Sequence, residues 1–320
     1  MNEAATTSSP EAPVEAILRD ELAHGDIVLG TIGPVLGHLL ANHDHSLFSD
    51  EIVSRVRGMI GDLARQMLHA QADAADAADP RAVPETGIGV LTDALMADAR
   101  LVAHCHALAL EWQLTLRLET RSGVDPVLSP LLQALIASDD PPTASTAMAA
   151  LTAQARFAQR QRRMELPLPE LPADHFHQAL ATWLELVEPQ DAEAAVLAAG
   201  KLRDDFDESA SRLGLLARLI HTMGAGALAA LSVSHAGAAM FLTALSSANQ
   251  QDRDLTIIAT NDRQLARLAL SLRAAGLKPS AIEEQFLYLH PNIALPEGFD
   301  SLRADRAREL LASSRRTSAT

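Results

Sequence analysis

Histidine is the residue type in this chain best placed to do chemistry. There are 12, and three pairs stand two residues apart: His43/His45, His104/His106 and His175/His177. Two imidazoles at that spacing can share a metal ion when the backbone between them is extended. On a helix they project about 200° apart, because 3.6 residues complete a turn, and they cannot. His43 and His45 fall in a polar loop, and His175 and His177 straddle an expected helix start, so both pairs keep that option. His104-Cys105-His106 lies inside an expected helix and loses it. His104, His106, His221 and His235 remain the candidate liners of a metal or small-molecule pocket between helices.

Other catalytic arrangements are harder to build. A carboxylate-bridged di-iron bundle needs two Glu-x-x-His pairs on neighbouring helices, and only Glu21-Leu22-Ala23-His24 matches. Asp204, Asp207 and Glu208 would share a helical face and have the oxygen chemistry of a hard-cation site. The simpler reading is a solvated face, with Glu208 four residues before Arg212 as a stabilising pair. No Gly-x-Ser-x-Gly elbow occurs, and the glycine pairs Gly87/Gly89 and Gly224/Gly226 lack the third glycine and the lysine of phosphate loops. Cys105, the only cysteine, falls on an apolar helical face, where a thiol behaves as a small hydrophobe. The sequence assigns no cofactor.

Arg156, Arg160, Arg162 and Arg163 form the densest basic cluster. Guanidinium groups grouped this way receive phosphates, carboxylates or acidic helices. Immediately after them, Glu165 to Pro172 (ELPLPELP) alternates proline with Leu or Glu. That pattern forbids helix and favours an extended strap. The strap either packs across its own domain or serves as a docking peptide.

The elements that must position these residues are helices. Apolar residues recur at three- and four-residue intervals, and strand alternation is hard to find. Ser49 reads as an N-cap with Asp50 and Glu51 in the first turn, and Ile52, Val56, Met59, Leu63 and Met67 mark one face of a helix ending near Gln71. Ala72 to Glu85 reads as a linker. Helix resumes from about Gly87 to Thr120, with a kink allowed, and Leu101, Cys105, Leu108 and Trp112 face inward. Further helices are expected at about 173–187, 190–206, 208–223, 235–248, 254–275, 279–289 and 301–313. The first helical stretch, from Pro13 to Leu40, should break at His24-Gly25-Asp26.

Composition agrees. The chain is 48% hydrophobic but only 3% aromatic, which suits close helix packing on small aliphatic side chains. A net charge of −15 repels phosphate backbones, so nucleic acid is disfavoured as a partner. A lone cysteine fits a reducing, cytoplasmic setting. Leu219 to Gln251 carries no Asp, Glu, Lys or Arg and has the length of a membrane span. Its glycines, serines and threonines favour instead two buried helices joined near Ala230 to Ser234.

These readings predict an all-α multi-helix bundle or irregular helical array. Residues 1–12 form a disordered leader, 13–164 one helical subdomain, 165–172 the strap, 173–313 a second subdomain and 314–320 a frayed tail. A correspondence at an offset of 110 residues (Leu132, Gln154, Pro169 and Phe176 onto Leu242, Gln264, Pro279 and Phe286) suggests that the two subdomains are similar. The expected function is that of a non-enzymatic adaptor or regulatory protein, binding a protein partner through a helical surface at the arginine cluster. A homo-oligomer is compatible. The alternative is an enzyme or sensor built on the histidine pocket.

Overall fold

The computed structural model describes residues 13–41, 49–75 and 85–317. Among them the chain is all-α, with no strand. The helices are α1 (Pro13–Ala41), α2 (Asp50–Ala74), α3 (Glu85–Met96), α4 (Ala99–Ser122), α5 (Pro130–Ile136), α6 (Pro141–Arg162), α7 (Ala173–Leu186), α8 (Ala192–Asp204), α9 (Arg212–Met223), α10 (Val233–Asn249), α11 (Arg253–Ile258), α12 (Leu265–Ala274), α13 (Pro279–Leu289) and α14 (Ala304–Thr317). The expected leader, residues 76–84 of the expected 72–85 linker and the loop bearing His43 and His45 lie outside the described residues. Helix α14 runs past the expected end at Ser313.

Local chemistry sets the helix ends. Ser49 caps α2 by accepting from the Ile52 amide at 3.4 Å, and α2 runs three residues beyond its expected end. The kink allowed between Gly87 and Thr120 is a full break, because the Asp98 carboxylate accepts from the amides of Arg100 and Leu101 and starts α4 afresh. Gly123, in the left-handed region, ends α4. Asp140 caps α6, with prolines in its first turn.

Two compact units divide the chain. One runs Thr31–Ile258, and the other joins the residues up to Gly30 with those from Ala259 onward. This division does not fall at 165–172: the proline strap lies inside the larger unit, because its leucines complete that unit's core. The 110-residue offset also relates unlike elements. Gln154 is buried in mid-α6, whereas Gln264 closes a 3-10 turn, and Pro169 lies in the strap where Pro279 opens α13.

In the larger unit the stripe of α2 is fully buried and packs against Leu91 and Leu95 of α3, Leu101 and Cys105 of α4, and Phe176, Leu180 and Trp183 of α7. Leu166, Leu168 and Leu171 of the strap insert into the same core. The strap is not extended throughout, because Leu168–Glu170 closes a 3-10 turn; its remaining amides and carbonyls must still find partners, and α2 supplies them. Asp62 accepts from the Leu166 amide at 3.1 Å, Gln66 donates to the Leu166 carbonyl at 2.8 Å, and its side-chain oxygen accepts from the Leu168 amide at 2.9 Å. Burial pushes the Asp62 carboxyl up, and the Leu166 amide partly offsets this. Gln66→Ala strips two strap groups of their partners. It is expected to lower stability by about 1–3 kcal/mol in urea unfolding, with amide exchange accelerated first at Leu168.

The uncharged run divides where the expected 208–223 helix ends: α9 stops at Met223, α10 starts at Val233, and between them a largely exposed 3-10 segment, Gly224–Leu231, replaces the expected direct joint of two buried helices near Ala230 to Ser234. Inside α10, Gly237 takes φ 69° and bends the chain, and a β-carbon there would lie 3.2 Å from Ser129 Cβ. Arg212–Leu231 is the one stretch among the described residues long and apolar enough to cross a membrane by length and composition. It opens on an arginine that is buried and ion-paired.

In the smaller unit α12, α13, α14 and the start of α1 pack together, and the expected break at His24-Gly25-Asp26 is absent. Arg267, buried, donates to Asp26 and to Ser314 Oγ, and Gln264 donates to the Gly25 carbonyl at 2.7 Å. A β-carbon on Gly25 would sit 2.6 Å from Gln264 Oε1, so this glycine serves close approach rather than helix termination.

Candidate functional site

The chemistry of the larger unit centres on Glu111, which is fully buried. It lies on the inner stripe of α4 with Leu108, Trp112 and Thr115, where a lone carboxylate needs compensation. Two arginines provide it. Arg212, the first residue of α9, donates to both carboxylate oxygens at 2.8 and 3.0 Å. Arg253, the first residue of α11, donates to both at 2.8 Å. Arg212 also reaches Gln154 Oε1 at 3.2 Å and lies 3.7 Å from the centre of the Phe157 ring, and Arg253 donates to Thr243 Oγ1 at 3.1 Å. Burial pushes the Glu111 carboxyl up, but the two guanidinium groups outweigh it and hold its pKa well below the usual carboxylate range. The triad therefore carries one net positive charge and ties α4, α6, α9 and α11 together.

None of these side chains was singled out for this role by sequence. Arg212 had an apparent partner in Glu208, but Glu208 precedes α9 in a 3-10 turn and instead accepts from the Ala173 amide. The available signal was Glu111 itself, an acid at an inward position of an apolar stripe.

Beside the triad a cleft of about 230 Å³ opens between the C-terminal half of α6 and the strap. Its apolar wall comes from Leu108, Phe157, Leu166, Pro167, Pro169 and Leu213, and its charged groups are Arg156, Arg160, Arg212, Glu165 and Glu170. Arg160 pairs with Glu165 at 2.6 Å. Glu170 accepts from the Arg212 backbone amide at 2.8 Å, placing a carboxylate at the start of α9. Arg156 is exposed, with no acidic partner among the described residues. Of the four clustered arginines the fold brings Arg156 and Arg160 to the cleft. Arg162 lies over the Trp112 ring at 5.9 Å, and Arg163 is an exposed residue at the end of α6.

The four candidate histidines do not converge on one pocket. His104 and His106 are both buried, two apart on α4, and face different surroundings. His104 Nδ1 meets Asp254 Oδ2 at 2.8 Å, and its ring stacks on His175 with centroids 5.2 Å apart. Burial, followed by the charge of His104, lowers the His175 pKa. Burial alone lowers that of His106 to about 4. His175 and His177 both lie within α7 rather than astride its start, and His177 turns to Phe176 and Phe206. His221 is exposed and His235 half-buried on other helices. Among the described residues no three His, Cys, Asp or Glu side chains are grouped to hold a metal ion. Asp207 binds Ser209 rather than converging with Asp204. Cys105 is fully buried, and its thiol pKa is pushed far up by that burial and by the charge of Asp254.

No family model, curated protein or solved structure matches this chain.

Proposed function

We propose that this chain is a non-enzymatic binding protein that receives an acidic, partly apolar segment of a protein partner in the cleft between α6 and the strap. One observation carries the reading: Arg156, without an acidic partner among the described residues, and Arg160 flank an apolar wall beside a triad of net positive charge, in a chain whose overall charge is −15. A local cationic cleft on an acidic molecule attracts acidic partners and repels further copies of the same surface. The apolar wall gives an aliphatic side chain somewhere to leave water, and the strap is held in place by α2 before any partner arrives, so little ordering cost falls on binding.

The test uses labelled peptides in which a leucine is flanked by Asp and Glu, titrated with the full-length protein by fluorescence anisotropy. Arg156→Glu combined with Arg160→Glu is expected to weaken binding by about tenfold or more, equivalent to about 1.4 kcal/mol. Arg163→Glu, outside the cleft, is expected to change it little, and raised salt should weaken the parent protein's binding. Equal affinity in the double variant and the parent would remove this cleft as the docking site.

A further inference from the structure

Arg160 is one of the two cationic groups on which the proposed partner cleft depends, yet its guanidinium is engaged: it donates to Glu165 of the strap at 2.6 Å. The position of that carboxylate follows from how α6 ends. Met164 takes φ 58°, the left-handed conformation that closes many helices and usually falls to glycine. Its amide donates to the Gln161 carbonyl at 3.2 Å, and the next amide, that of Glu165, donates to the Arg160 carbonyl at 3.0 Å. Together these bonds form a Schellman motif, which folds the chain back over the last turn of the helix and sets Glu165 against Arg160. Just beyond, α2 holds the Leu166 amide and carbonyl, so Glu165 is fixed from both sides.

We infer that Glu165 is an autoinhibitory stand-in for the partner: it occupies Arg160 until an incoming carboxylate displaces it. The inference rests on reading the cleft as a docking site for an acidic, partly apolar segment. The strap has that same chemistry, with two glutamates, Glu165 and Glu170, on either side of Leu166 to Pro169, and it lines the cleft with both of them. Exchange is easy at this pair and hard at the neighbouring triad. The Arg160 and Glu165 side chains are 48% and 24% exposed, so water and salt screen their attraction. Those of Arg212 and Glu111 are 3% and 0% exposed, and separating them would strand a buried charge. The outer pair opens without that loss, because Glu165 can turn to water as another acid takes its place. Arg156, one turn earlier on α6 and without an acidic partner among the described residues, makes the first contact with the partner.

Two measurements on the full-length protein test this, with Glu165→Gln as the variant. The first needs no partner: arginines are labelled with phenylglyoxal and read site by site by mass spectrometry, with Arg156 as the reference in the same sample. Arg160 is expected to react more slowly than Arg156 in the parent and several-fold faster in the variant. The second titrates the Asp- and Glu-flanked leucine peptides by fluorescence anisotropy. The variant should bind them about three- to fivefold more tightly, the scale on which an exposed ion pair competes. Asp139→Asn, which removes an exposed charge near the opposite end of α6, should bind as the parent does. No gain in affinity in Glu165→Gln, an equal gain in Asp139→Asn, or a gain without faster labelling of Arg160 overturns the inference and leaves the cleft reading standing. Peptides that bind neither the parent nor Glu165→Gln remove the cleft reading, and the inference with it.

Discussion

Glu111→Ala is expected to lower the unfolding free energy by about 3–5 kcal/mol, the cost of breaking a buried ion pair by removing one partner. The side chain is fully buried, and its loss leaves the guanidinium groups of Arg212 and Arg253 facing each other across the space it occupied. Two like charges in a desolvated interior repel strongly, and neither α9 nor α11 can swing its first residue outward without giving up its packing. Urea unfolding checks the magnitude. A triple variant, Glu111→Leu with Arg212→Met and Arg253→Met, separates charge from packing. It should recover most of the loss, because apolar residues of similar volume commonly replace a buried ionic cluster at little cost. An alanine variant within about 1 kcal/mol of the parent would show that the triad is not what joins these helices. The acid limb follows from the sign of the shift. The folded-state pKa of Glu111 lies below its ordinary value of 4.5, so its stabilisation is complete above that value and is lost as pH falls below it.

A second large effect should appear at milder acidity, through His106. Burial lowers its pKa from 6.5 to about 4. The folded state therefore holds the neutral imidazole, while the unfolded chain takes up a proton below about 6.5. Stability contributed by this group is fully present above pH 6.5 and declines as pH falls toward 4. At 1.36 kcal/mol per pKa unit the total is on the order of 3 kcal/mol. Urea unfolding at a series of pH values should show this decline in the parent, and His106→Leu should flatten it between pH 6.5 and 4 while leaving the Glu111 limb below 4.5 in place. An unchanged pH slope in His106→Leu would assign the mild-acid sensitivity to another group. The two windows barely overlap, so one titration series reads both residues.

These two groups show where sequence reading worked and where it stopped. The all-α architecture was legible because helix formation is decided over short distances: the α2 stripe and the Ser49 cap lie within a turn or two of the residues they organise. That the strap leaves the α-helix was legible for the same reason, since proline acts on its own φ and on its neighbour, but its middle closes as a 3-10 turn at Leu168–Glu170 rather than staying extended. The boundaries that failed were those decided by distant partners. Gly25 looks like a helix break, yet Gln264 and Arg267, more than 230 residues away in sequence, hold that stretch helical.

The sequence by itself determined that this protein is helical, that its cores are aliphatic and that its thiol is buried, and it placed a cluster of four arginines beside a proline strap. Only the tertiary structure decided which arginines face the cleft, that Arg162 lies over Trp112 instead, and that Glu111 gathers Arg212 and Arg253 from positions 101 and 142 residues further on. It also decided that His104 meets His175 while His106, His221 and His235 stand elsewhere. Periodicity reports which way a side chain points from its own helix, and carries no record of what another helix brings to meet it.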